Sequence, residues 1–207
     1  MIDVVLEIVI ATSNQHKLLE FKRLLTQLPV LWRPLTDLQI DPEVAENGTT
    51  FAANAAHKAR EYCRLSGLPT LADDSGLTVD VLGGRPGVHS ARYAGPDATQ
   101  AEQWHRLLHE MRAVPWEQRR AQFHCALALA RPGHPKLVIA EGLCTGLIAL
   151  QPRGTGGFGY DPLFYLPEYA GTMAELTPAQ KDRISHRGQA ARAIAPQIAT
   201  LLGGENK

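Results

Sequence analysis

Asp73 and Asp74 follow one another at the end of a short apolar run, Leu68-Pro69-Thr70-Leu71-Ala72, and stand directly before Ser75-Gly76. Two adjacent carboxylates at a strand end need a cation, a shifted pKa or open water, and the first two are devices of active sites. The pair points to a metal-dependent enzyme. Neighbouring side chains in an extended segment face opposite ways, so the two acids have different tasks: one holds the metal, the other orients a base or a lysine. The competing reading is an Asx-type acid pair in a turn, because the chain is expected to turn at Ser75-Gly76.

Four further groups of residues carry chemistry. Thr12-Ser13-Asn14-Gln15-His16-Lys17 lies where an apolar strand hands over to a helix. Backbone N–H groups at a helix start bind phosphate, and Lys17 adds charge one turn in. The bland alternative is an N-cap followed by a surface lysine. There is no GxxxxGK[ST], so this is not a Walker-type loop. Glu46, Asn54 and Lys58 form the second group; Asn54 and Lys58 are four apart on an alanine-rich helix and share a face, which is either a cleft wall or a solvated surface.

Gly154-Thr155-Gly156-Gly157-Phe158-Gly159-Tyr160-Asp161-Pro162 formally matches GxGxxG. A dinucleotide fold requires a helix after the glycines, whereas an aromatic, extended Leu163-Phe164-Tyr165 follows. The loop instead suits a flat base approaching the backbone and stacking on Phe158 or Tyr160. Lys181 with Ser185-His186-Arg187-Gly188 supplies donors for carbonyl or phosphate oxygens, or else basic residues complementing a helix C-terminus. His105 and His109 have i, i+4 zinc spacing, but Arg106 stands where HExxH has Glu, so a partly exposed histidine pair is the expectation.

These groups must be positioned by regular elements. Val4 to Ala11 reads as a buried strand, followed by a helix from about Gln15 to Gln27 on the spacing of Leu18, Phe21, Leu25 and Leu28. Pro29 to Glu46 reads as irregular. An alanine-rich helix spans about Phe51 to Leu65, then come the Asp-Asp strand and a short strand from Leu77 to Val81. Trp104, Leu107, Leu108 and Met111 mark a helix; Phe123, Cys125, Leu127 and Leu129 alternate as a strand, with Lys136 to Leu150 as its antiparallel partner and Gly142 and Gly146 as candidate bulges. Thr177-Pro178-Ala179-Gln180 is a capping box with proline at the first helical position, and Ala191, Ile194, Ile198 and Leu201 line the last helix, before a frayed tail from Gly203. Alternating strands and helices early and a hairpin later predict an α/β fold with a mixed sheet.

The 207 residues and 44% hydrophobic content allow one elaborated domain over 1–207, with two lobes. A formal net charge of +0 leaves no basic footprint for nucleic acid or for a membrane surface. Cys63, Cys125 and Cys144 are odd in number and dispersed, which disfavours a disulfide framework and fits a reducing cytoplasm. The N-terminal stretch lacks a basic leader and no run is long enough to span a membrane, so an unexported soluble protein is expected.

Together, ATSNQHKLLE, FAANAAHKAR, LADDSGLTVDVLGGRPGVHSARYAG, GTGGFGYDPLF and ISHRGQA resemble the dITP/XTP pyrophosphatase family, the inosine triphosphatase-like enzymes, in family order from about Ile8 to Leu202. The resemblance implies a mixed α/β fold with a long central sheet, two lobes flanking a deep cleft, and a homodimer. It implies Mg²⁺-dependent hydrolysis of ITP, dITP and XTP to the monophosphate and pyrophosphate. Thr12 to Lys17 match the phosphate-binding segment, and Glu46 with Asp74 the metal-binding acids. Asp74 also matches the proton acceptor, and Ser75 a substrate contact. Phe158, Gly159, Tyr160, Asp161, Lys181, His186 and Arg187 match the segments that hold base and nucleotide, while Asn14, Lys17, Lys58 and Asp73 join the catalytic shell. Ser13 stands where glycine is also common, and the segment before Ile8 is slightly long. Donors from His186 and Arg187 would read the purine 6-carbonyl, which adenine lacks. The alternatives are a related house-cleaning pyrophosphatase of different base specificity and a non-catalytic nucleotide-binding regulator.

Overall fold

The computed structural model describes residues 6–38, 40 and 44–203, with side chains to Leu201. Seven strands, β1 (Leu6–Ala11), β2 (Val30–Pro34), β3 (Thr70–Val79), β4 (Arg120–Arg131), β5 (His134–Ile148), β6 (Phe164–Leu166) and β7 (Gly171–Thr172), form one sheet in the order β2-β1-β3-β4-β5-β6-β7. The helices are α1 (Gln15–Leu24), α2 (Phe51–Ser66), α3 (Gln100–Glu110), α4 (Pro178–Ile184) and α5 (His186–Gly203), with short 3₁₀ turns between. The mixed α/β expectation is met: β1 runs parallel to β2 and β3, β4 and β5 are joined through Pro132-Gly133 as a hairpin, and β6 is antiparallel to β5 and β7.

The expected turn at Ser75-Gly76 is not made. β3 runs unbroken through both residues, because it is a central strand with β1 on one side and β4 on the other, and pairing overrides local turn chemistry. The segment after Pro29 is likewise more regular than expected. It opens with β2 on the sheet edge, where Pro34 needs no ladder partner, and continues in a 3₁₀ turn at Leu35–Leu38. The expectations at Val4, Val5 and 204–207 lie outside the described residues.

The chain forms two compact units, one of Met1–Asp74, Cys125–Gly142 and Arg187–Lys207, the other of Ser75–His124 and Leu143–His186. In the first, the two-residue period of the strands sorts the core. Ile8, Ile10, Leu71, Cys125, Leu127 and Leu129 pack with Leu18, Phe21 and Leu25 around α1 and with Ala191, Ile194 and Ile198 of α5. The alternate residues Val9, Ala11, Ala72, Ala126, Ala128 and Ala130 meet Ala55, Ala56, Ala59 and Tyr62 of α2. Alanine facing alanine lets α2 lie close to the sheet, and Thr50 caps its start while Gly67, at φ 68°, closes its end.

The second unit has its own core, including Leu77, Leu107, Met111, Phe123, Ile148 and Phe164. Arg119 is 2% exposed there and satisfies backbone carbonyls of Ile148 at 2.7 Å and Met111 at 2.9 Å, so its charge is structural. Gly146 serves close approach: a Cβ there would lie 2.6 Å from the Tyr165 carbonyl oxygen on β6.

Candidate active site

The alternation that sorts the first core also separates the acids. Asp73 follows Leu71 onto the α1/α5 face, and Asp74 follows Ala72 onto the α2 face. Both lie just beyond the Ala11–Ala72 pairing, past the C-terminal end of β1 and beside the start of α1. Ligand sites of parallel α/β sheets occupy this edge.

Asp73 is 2% exposed and accepts an ion pair from Lys17 Nζ at 2.7 Å. Asp74 accepts from Asn54 Nδ2 at 2.8 Å, and the Asn54 Oδ1 accepts from Gly48 N at 2.7 Å. Lys58, four residues after Asn54 on α2, pairs with Glu46. Asn54 and Lys58 are 1% and 8% exposed, so their helix face is not solvated surface. Buried amides and ammoniums aimed at carboxylates are costly to assemble and mark a built site.

The two neighbouring acids are driven apart in proton affinity. Burial works against the charge on Asp73, but the fields of Lys17, Lys58 and Arg187, with the Lys17 hydrogen bond, hold its carboxyl below the usual range. For Asp74 burial wins: with the negative charge of Glu46 it lifts the carboxyl above the usual range, against Lys58 and the Asn54 hydrogen bond. Burial also opposes the charge of Lys58, yet Asp73, Glu46 and Asp74 keep its ammonium more firmly protonated than usual. Two titratable groups pushed in opposite directions divide into a fixed charge and a proton acceptor.

Thr12 to Lys17 sits at the start of α1, with Ser13, Asn14, Gln15 and His16 exposed. Asn14 is the N-cap: its Oδ1 accepts from His16 N at 3.0 Å and Lys17 N at 3.2 Å, and Thr12 Oγ1 accepts from Asn14 N at 3.2 Å. The capping reading of Asn14 is therefore realised, while Lys17 reaches Asp73.

The second unit, by itself, holds the glycine loop and the basic residues Lys181 and His186. Asp161 Oδ2 accepts from Phe158 N at 2.8 Å and from Lys181 Nζ at 2.6 Å, and that ammonium lies 5.1 Å from the centre of the Phe158 ring. Gly157 has φ 71°, and a Cβ there would run into the Asp161 carboxylate, so glycine is required on both counts. A 3₁₀ turn (Asp161–Leu163) and β6 follow the glycines instead of a helix, which bears out rejection of the dinucleotide motif. Phe158 remains half-buried and Tyr160 is buried, its phenol pushed up chiefly by burial. His186 stacks on Phe123 with ring centres 4.8 Å apart.

Arg187 falls in the first unit, 3.3 Å from Glu20 of α1 and close enough to influence Asp73. Sequence reasoning missed Glu20, although an acid on the buried face of an amphipathic helix was the available signal. Ser75, the first residue of the second unit, is half-buried. His105 and His109 are exposed on α3, and no group of three metal-ligating side chains occurs among the described residues.

Residues 8–197 match the Ham1 family, and the chain belongs to it. It is 53% identical over 201 residues to the dITP/XTP pyrophosphatase of Geobacillus kaustophilus, covering 97% of this chain and 98% of that one. It is 46% identical over 189 residues to the enzyme of the same name from Escherichia coli, covering 91% and 95%. The solved structure of a HAM1 protein from Coxiella burnetii shares the fold with a TM-score of 0.87 at 45% identity, covering 95% of this chain and 100% of that one.

Proposed function

We infer that the chain is a dITP/XTP pyrophosphatase, hydrolysing non-standard purine nucleoside triphosphates to the monophosphate and pyrophosphate. The placement of Asp73 against Lys17 and of Asp74 against Asn54, on opposite faces of β3, supports this mechanism most directly, and their proton affinities are shifted in opposite directions to match. Asp74, with the raised carboxyl, accepts the proton of the water attacking the α-phosphorus. Asp73 stays ionised and holds the Lys17 ammonium in place. Lys17 and Lys58 offset charge on the triphosphate, and first-turn backbone of α1 adds a favourable dipole.

Glu46 and Asp74 would hold Mg²⁺. Their donor set fits: two hard carboxylates, too few for an all-protein cage, leave positions for phosphate oxygens and water, and a cation would offset the burial and the Glu46 charge that raise Asp74. Bound there, the ion supplies charge neutralisation on the triphosphate. In the second unit, Phe158 offers a stacking face, and Lys181, held by Asp161, places a cation beside it. His186 supplies a ring donor for the purine edge, and Arg187 acts alongside Asp73.

No helix among the described residues is long and apolar enough to cross a membrane. The three free, buried cysteines support a cytoplasmic location. A homodimer is the expected assembly, checked by light scattering. The function is tested with ITP, XTP, GTP and ATP, with and without Mg²⁺, measuring pyrophosphate separately from orthophosphate. Pyrophosphate release from ITP and XTP that requires Mg²⁺ is expected; orthophosphate as the first product would overturn the assignment.

A further inference from the structure

Helix α3 carries none of the groups assigned to the reaction, yet two consecutive residues of it end on the glycine loop. Trp104 Nε1 donates to the Gly159 carbonyl at 2.7 Å. Gln103, 6% exposed, donates through Nε2 to the Ala91 carbonyl at 3.1 Å, and its Oε1 accepts from Ala94 N at 2.8 Å. The same Oε1 lies 3.4 Å from the Tyr160 hydroxyl, whose nearer acceptor is the Ser90 carbonyl at 3.0 Å. Consecutive helical residues project about 100° apart, so α3 holds the loop at two separate points.

The loop needs such holding. Gly154, Gly157 and Gly159 all have positive φ, and glycine-rich backbone has little conformational preference of its own. Asp161 closes a turn over Gly159 and Tyr160, its Oδ2 accepting from Phe158 N at 2.8 Å and its N donating to the Phe158 carbonyl at 3.2 Å, but the central peptide of such a turn can still flip unless its carbonyl is engaged. Trp104 engages it. The indole body packs against the core of the second unit, so its N–H is aimed by the packing of α3 rather than by the loop.

We propose that Trp104, supported by Gln103, is a positioning residue for purine recognition: it fixes the Gly159 carbonyl and thereby the plane of the Phe158 ring. This rests on reading Phe158 as the stacking face for the base. The effect is on the base alone, because the phosphate-binding groups belong to the other unit.

The test is Trp104→Phe, which removes the N–H and keeps an aromatic ring in the core. Steady-state hydrolysis of ITP is compared with competitive inhibition by inorganic tripolyphosphate, which has no base. The KM for ITP is expected to rise about two- to tenfold, the change corresponding to one neutral hydrogen bond, with kcat nearly unchanged and the tripolyphosphate inhibition constant unmoved. An unchanged KM overturns the proposal, as does an inhibition constant that rises in step with KM. Wild-type protein that releases no pyrophosphate from ITP would instead overturn the reading beneath it, and the proposal with it. Should Trp104→Phe melt below the assay temperature, Gln103→Met is used, with the same split expected and the same results against it.

Discussion

Each unit holds a lysine–aspartate pair of nearly equal length, half-buried Lys17 with buried Asp73 at 2.7 Å and buried Lys181 with Asp161 at 2.6 Å. Their surroundings differ. Around Lys17–Asp73 stand Asp74, Glu46, Lys58 and Arg187; the nearby cations hold the Asp73 carboxyl down while burial lifts that of Asp74. Asp161 also accepts from a backbone amide, Phe158 N, in a segment packed with glycine. The same ion pair therefore serves reactivity in one place and shape in the other. The two ion pairs are nearly equal in length, so the groups around Asp73 set the role of the first pair.

The comparison is sharpened most by Asp74→Asn. The amide still accepts from Asn54 but cannot take a proton, so turnover is expected to fall by at least about 10²-fold with folding intact, measured by pyrophosphate release and circular dichroism. Near-normal turnover in the folded variant would remove Asp74 from the mechanism. Asp161→Asn comes next and should act on structure first. It leaves the Lys181 ammonium buried without its charge partner, and a loss of roughly 3–5 kcal/mol in urea unfolding is expected. If that variant kept full stability and lost only activity, the contrast between the units would break. Gly157→Ala probes the same loop more gently: strained backbone at positive φ, and a methyl group against the Asp161 carboxylate, should cost about 1–3 kcal/mol in the same unfolding assay.

The smallest effect is the pH dependence of stability, followed by urea unfolding in EDTA. Asp73 has a lowered folded pKa, so its contribution is complete above the unfolded carboxyl value of about 3.9 and is lost as pH falls through the lower folded value. Asp74 has a raised folded pKa, so its contribution is present below the unfolded value and lost as pH rises through the folded one. Asp73→Asn should thus be less stable than wild type at neutral pH, and Asp74→Asn more stable. Equal shifts in one direction would show that the two carboxyls are not differently placed.

Much of this was legible in the residues. A capping box announced α4, because Thr177 and Gln180 act through local hydrogen bonds that depend on nearby positions alone. The strand faces were legible from the period of two, and so was the division of labour between Asp73 and Asp74. The continuity of β3 was not, because Ser-Gly signals a turn unless flanking strands impose extension, and those partners are distant in sequence. Glu20 and Trp104 stayed hidden for a related reason. Each meets its partner far along the chain, at Arg187 and Gly159, and no spacing rule reaches that far. Arg187 was grouped with His186 by adjacency, whereas helical geometry sends consecutive side chains to different neighbours.

The side-by-side acids on β3 also make catalysis a sensor of strand alignment. A slip of β3 by one residue against β1 would carry Asp73 to the α2 side and Asp74 to the α1 side, while setting Leu71 against the alanine layer and Ala72 against the leucines. Such a molecule would keep its helix and strand content, and its spectrum would pass for native. Its ammonium partners would face the wrong carboxyls. For this protein, specific activity per folded molecule therefore reports correct pairing of the central strands, which bulk secondary-structure measurements do not.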